Sequence, residues 1–151
     1  MVEITVRSVV VNHAVKKKYN GDLSFMAIGT DLLSTWSFNS TGDIETVNST
    51  ENVEQAIVNR LTCSLGSLQL YYNDYGSILY SFLGWKRNNA TLEFIRLELI
   101  NRLNQDNRLN VLDCQAEYDT DGSVNVSLRL KIVDSVETVN LSITNDGVII
   151  K

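Results

Sequence analysis

Proline is absent from this chain, histidine occurs once and cysteine twice among 151 residues. Each shortage excludes something. One histidine, His13, and two distant cysteines, Cys63 and Cys114, argue against a zinc site and against Cys-His or Ser-His-Asp catalysis. Two cysteines make no disulfide framework and read as small buried hydrophobes. His13 reads as an ordinary loop or edge residue. There is no glycine-rich phosphate loop and no serine elbow. No apolar run approaches membrane-spanning length, and the N-terminus lacks the basic start and long apolar centre of a signal peptide. A net charge of -5 and a pI near 4.8 argue against a nucleic-acid partner. The one basic run, Lys16-Lys17-Lys18, reads as a solvated turn. Missing proline also removes a common device for blunting exposed strand edges.

What remains is a chain that can bury a core without metal or disulfide help, with 44% hydrophobic residues. The stretch from Glu51 to Gly84 organises it. Val53, Ala56, Ile57 and Leu61 fall at helical spacing, Glu51 and Glu54 suit the start of the helix dipole, and Arg60 suits its end. Ser49 or Thr50 is expected to cap this helix. Gly66 serves the turn that follows, and Tyr75-Gly76-Ser77 opens a shorter helix carrying Ile78, Leu79, Phe82 and Leu83. A third helix, capped by Asn89 or Thr91, is expected to run to about Leu103. Its stripe Leu92, Ile95, Leu99 and Leu103 is widened by Phe94, Leu97 and Ile100, so the helix is expected to make contact on two sides.

Strand signals flank these helices. Residues 2–11 and 23–28 read as a β-hairpin about the Asn20-Gly21-Asp22 turn, giving an N-terminal β extension over 1–28 and a main domain over 29–151. WSFNSTGDIETV reads as two short strands around Thr41-Gly42-Asp43, anchored by Leu32, Leu33, Trp36, Phe38 and Ile44. Trp36 reads as a core-edge aromatic, with an interface anchor as the other reading. In the C-terminal third, Leu112, Cys114, Ala116 and Tyr118 alternate with polar residues. Asp119-Thr120-Asp121-Gly122 turns the chain into Val124–Ile132, a further strand carries Val139, Leu141 and Ile143, and Asn145-Asp146-Gly147 leads into Val148-Ile149-Ile150. The fold class expected is α+β, two to three helices on a small mixed or antiparallel sheet with a C-terminal β-hairpin region. Glu51, Glu54, Glu93 and Glu98 read as helix-surface charges, and Asp119 and Asp121 as turn residues without the full pattern of a calcium loop.

The ordered motifs carry a resemblance. The helix Asn52–Leu61, Arg60-Leu61-Thr62 with Gly66, Tyr75-Gly76-Ser77, the helix 91–103, Asp106-Asn107-Arg108 and the following hairpin together resemble the small baseplate wedge proteins of contractile phage tails and related injection machines, some of which carry a lysozyme-like label. The match covers about residues 29–145. Members have Glu-Pro-Arg where this chain has Asp106-Asn107-Arg108, so acid and arginine are kept in type and the proline, which fixes φ, is not. The resemblance implies a virion component of the tail baseplate, assembled in the host cytoplasm. It would be neither an enzyme nor a cofactor binder. Its implied partners are wedge proteins and the tail sheath subunit, with tail tube and hub proteins as further candidates, and with no nucleic acid and no membrane. It further implies that Asp106, Asn107 and Arg108 form wedge-junction contacts, that Gly66, Tyr75 and Gly76 form the family's turn, and that the strands carrying Val139, Leu141, Ile143, Val148, Ile149 and Ile150 pair with sheath strands. A small cell-wall glycosidase and an adaptor domain of another assembly are the alternatives.

Overall fold

The computed structural model describes residues 28–68, 73–133 and 135–151. The expected N-terminal hairpin, with His13 and the lysine run, lies outside them except for Ile28. That residue is buried in the core, and its carbonyl accepts hydrogen bonds from Asn52 Nδ2 and Arg108 Nη1, both at 3.3 Å.

Strands β1 (Thr30–Leu32) and β2 (Thr46–Asn48) pair antiparallel. The Thr41-Gly42-Asp43 turn forms as expected, with Gly42 at φ +87° and Asn39 N–H bonded to Asp43 O at 2.8 Å. The ladder itself sits further out than WSFNSTGDIETV implied, because Phe38 and Ile44 form only an isolated bridge.

Helix α1 (Ser49–Thr62) buries Val53, Ile57 and Leu61, the expected stripe, and adds Asn52. Its cap differs from expectation. Asn48 is the N-cap residue and makes no side-chain cap bond, while Ser49 sits at φ +59°, off the geometry a capping hydroxyl needs. Helix α2 (Leu79–Leu83) is short, and α3 (Asn89–Leu103) is capped one residue earlier than expected, by Asn88 Oδ1 accepting from Thr91 N at 2.8 Å.

The remaining strands, β3 (Leu109–Tyr118), β4 (Val124–Ile132), β5 (Ser135–Thr144) and β6 (Gly147–Ile150), form one antiparallel sheet in the order β3-β4-β5-β6. The fold is α+β, as the sequence indicates, and every strand pairing in both sheets is antiparallel. Helix α3 packs chiefly along β3 and α1 along β6. Between helices and sheet lie Ile95, Leu99 and Leu103 of α3, Leu128, Leu130 and Ile132 of β4, and Leu141 and Ile143 of β5, all buried. Each such side chain contributes roughly 1.5–3 kcal/mol by leaving water. The other sheet face is polar, with Gln115, Asn125, Ser127, Arg129 and Lys131. One inward residue expected from the alternation is not inward. The pairing with β4 slips between Val111 and Asp113, so Leu112 is 46% exposed and Val111 takes the place opposite Leu130. A β-bulge adds one residue to the period and resets the faces.

Candidate interaction site

Two features can recognise another protein: the β5–β6 edge of the four-stranded sheet and a set of exposed aromatic side chains. The edge at β5 and β6 follows from strand length. β5 has ten residues and β6 four, so β6 covers only Leu141–Thr144. Lys151 N–H bonds to Asn140 O at 2.8 Å, which fixes the β5 residues whose backbone faces β6. By antiparallel alternation those are Thr144, Ser142 and Asn140, then Thr138 and Val136. The backbone N–H and C=O groups of Thr138 and Val136 extend beyond the end of β6 and pair with no strand among the described residues. Along β6 itself the same alternation turns the backbone of Val148 and Ile150 outward.

The residues expected to pair with sheath strands divide accordingly. Val139, Leu141, Ile143 and Val148 point their side chains into the core, and Leu141 and Ile143 lie between β4 and β6. They set the register of the sheet from within. Ile149 is exposed and Ile150 half-buried.

The β3 edge is different. Its outward Cys114 carbonyl accepts from Arg96 Nε at 2.8 Å, and its outward Val111 N–H donates to Asn104 Oδ1 at 2.9 Å. Both partners come from α3 and the turn after it. Glu93 holds Arg96 in place through a 2.7 Å ion pair. Burial raises the Cys114 thiol pKa to about 11, against a smaller lowering by Arg96.

Gly66, Tyr75 and Gly76, the residues expected to form the family's turn, flank residues 69–72, which lie outside the described ones. Gly66 sits at φ +77° and Gly76 at φ +103°. A Cβ on Gly76 would lie 2.7 Å from the Cys63 carbonyl oxygen, so only glycine fits. Ser77 then stitches this segment to the end of α1, donating from N to Cys63 O at 2.8 Å and from Oγ to Leu61 O at 2.7 Å. Arg60 stacks its guanidinium 4.7 Å from the centre of the Tyr75 ring. Burial raises the Tyr75 pKa, with the Arg60 charge opposing it.

Asp106 and Arg108 bond to each other. Arg108 donates from Nη2 to Asp106 Oδ2 at 2.6 Å and from Nε to Oδ1 at 3.0 Å. Burial raises the Asp106 pKa, but the Arg108 side-chain bond, backbone bond and charge outweigh it and hold the carboxyl below its ordinary value. With Arg108 Nη1 on the Ile28 carbonyl, the pair ties the α3–β3 turn to the start of the described chain. Asn107, between them, is exposed.

Trp36, expected at the core edge or at an interface, and Phe38, expected as an anchor, both stand exposed. Trp36 is 67% and Phe38 64% exposed, with Leu32 beside them in the β1–β2 segment. Trp36 lies at φ +53°, a left-handed conformation that costs a bulky residue about 1–2 kcal/mol. Gln55 of α1 holds the segment by donating Nε2 to Leu32 O and accepting at Oε1 from Ser34 N, both at 2.9 Å. A second group joins α2 to α3. Phe82, Trp85 and Phe94 form a ring cluster with centroids 4.9, 6.3 and 5.8 Å apart. Trp85 and Phe94 remain about half exposed, and Leu97 is exposed one helical turn beyond Phe94. The width of the α3 stripe signalled this second group, whereas the first had no periodic signal.

No family model matches the chain, and no curated protein matches it.

Proposed function

We propose that this protein is a structural component of a contractile-tail baseplate, joining the wedge to the tail sheath and templating the first sheath ring by strand addition. The observation that carries the reading is the stepped edge at β5 and β6. Outward backbone groups of Val136 and Thr138 offer hydrogen bonds to a partner strand lying in line with β6, and those of Val148 and Ile150 to one along its outer side, while side chains of α3 and the turn after it meet Cys114 and Val111 on the opposite edge. The ordered motifs of the sequence supply the identity of the partner, a sheath subunit. Affinity comes from main-chain bonds, because the inward side chains of β5 already belong to the core. Asp106 and Arg108 support the wedge junction indirectly in this reading, by holding the α3–β3 turn rigid for a wedge partner that Asn107 can reach. No specific observation favours a glycosidase. Glu98 accepts from Arg102 Nε at 2.8 Å and from Ile78 N–H at 3.1 Å, and Glu93 is paired with Arg96.

The test is capture of a sheath subunit co-expressed with this chain. Removing β5 or β6 wholesale is uninformative, since Val139, Leu141, Ile143 and Val148 are core. Val136→Pro with Thr138→Pro removes only outward N–H donors and leaves the β4 pairing intact. Capture by the parent chain and its loss in the proline variant is the expected result. Equal capture by both would refute strand addition at this edge.

A further inference from the structure

The two exposed aromatic groups carry opposite charge at their rims, and both belong to one chain. From Thr30 to Asn59 the sequence holds five acids, Asp31, Asp43, Glu45, Glu51 and Glu54, and no lysine or arginine. Among the described residues Asp43 and Glu51 make no ion pair, and Glu45 accepts a hydrogen bond from Ser37 Oγ in place of one. Trp36 and Phe38 share a hairpin with two of these acids: Phe38 bridges to Ile44, Asn39 N–H bonds to Asp43 O, and Glu45 N–H bonds to Ser37 O. In the second group the balance is reversed. Glu93 and Glu98 are neutralised by Arg96 and Arg102, leaving Lys86 and Arg87, next in sequence to Trp85, as exposed cations with no carboxylate partner among the described residues. Arg87 instead lies near the Tyr118 ring, 5.8 Å from its centre.

We propose that these surfaces bind each other between copies: the acidic β1–β2 segment of one molecule, led by Trp36 and Phe38, docks on the Trp85–Phe94–Leu97 cluster of the next, with Lys86 and Arg87 facing its carboxylates. The occupant of each surface is therefore a second copy of this chain. The contact is heterologous, joining two different patches, so a pair of molecules keeps one free patch of each kind and assembly proceeds head to tail, into a ring if the rotation closes. The same logic fits a bulky residue held in left-handed backbone. Gln55 and the Leu33 carbonyl, which accepts from Trp36 N at 3.1 Å, hold the segment in shape before it meets a partner. Four half-exposed aromatics make a contact below the standard size of about 800 Å² per partner, so the association is weak and reversible. It uses none of the β5–β6 edge residues and stands or falls apart from strand addition.

Sedimentation velocity of the purified full chain over about 5–500 µM, a range suited to weak contacts, tests this. The expected result is a sedimentation coefficient that climbs with concentration past a dimer and falls back with added salt. Trp36→Ser alone and Phe94→Ser with Trp85→Ser should each remain monomeric. Mixed in equal amounts, they should form a dimer and stop there, because only one competent pair of surfaces remains. A charge exchange provides the second set: Asp43→Lys with Glu51→Lys, and Lys86→Glu with Arg87→Glu, should each be monomeric alone and associate again when mixed. Circular dichroism confirms that each variant is folded. A parent chain that stays monomeric throughout, or an association that the variants do not alter, overturns the proposal. So does a mixture of the two aromatic variants that remains monomeric while the parent associates.

Discussion

At the β3 edge of the four-stranded sheet, two outward backbone groups are met by side chains of the same molecule, Arg96 on Cys114 O and Asn104 on Val111 N–H. A bulge at Leu112 also breaks the regularity that a partner strand would need. At the β5–β6 edge nothing comparable occurs among the described residues, and Val136 and Thr138 extend past the four residues of β6. Both β3 and β5 pair with the same β4, and neither edge contains proline. A helix lying alongside is not enough, since α1 packs along β6; the protection at β3 comes from the Arg96 and Asn104 side chains, which reach Cys114 and Val111. Where β5 outruns β6, no such bond is made among the described residues.

The largest effect on this comparison comes from breaking its common support. Leu128 is fully buried on β4, and Leu128→Ala should cost about 2–5 kcal/mol of unfolding free energy, measured in urea, and loosen both edges together. Next is Arg96→Ala, which leaves the Cys114 carbonyl without its charged donor. A cost of about 1–3 kcal/mol is expected. It should also expose Cys114 to thiol reagents, whereas in the parent chain at pH 8 burial and a pKa of about 11 keep this thiol unreactive.

Acid should act more gently, at the turn that feeds β3. The Asp106 carboxyl is held below its ordinary value, so its contribution to stability is fully present above the unfolded-state pKa and is lost as pH falls through the lower folded one. Thermal melts of the parent chain should therefore lose more stability between about pH 5 and pH 2 than melts of Asp106→Asn. An identical acid response in both would separate the turn from the edge it supports. The smallest effect on stability is expected at the open edge. Thr138→Pro should cost less than about 1 kcal/mol in the same urea titration, because the lost N–H has no strand partner. A large loss there would mean that this edge is already covered.

The C-terminal hairpins were legible in the sequence, because period-two alternation and the Asp121-Gly122 and Asp146-Gly147 turns act locally. The helices were legible for the same reason, with caps off by a residue where Ser49 enters at positive φ and Asn88 reaches Thr91 N–H. Leu112 was assigned to the wrong face because a bulge is a property of the pairing and leaves no mark on one strand alone. The closed β3 edge was equally invisible, since the bonds from Arg96 and Asn104 depend on where α3 comes to rest. Trp36 and Phe38 looked like anchors because aromatic residues usually are. Both are exposed, in a segment that Gln55 of α1 holds through bonds joining residues more than twenty positions apart.

The central claim is that the β5–β6 edge receives a strand from another protein. The most direct measurement is a tagged pull-down of this chain, co-expressed with the proteins encoded beside it, comparing the parent with Val136→Pro/Thr138→Pro at matched folded concentration. The account predicts that a sheath subunit is retained by the parent and reduced at least about tenfold by the prolines, the loss expected from removing two main-chain hydrogen bonds. Retention of a sheath subunit by both in equal amount, or no sheath subunit retained by the well-folded parent, would contradict it.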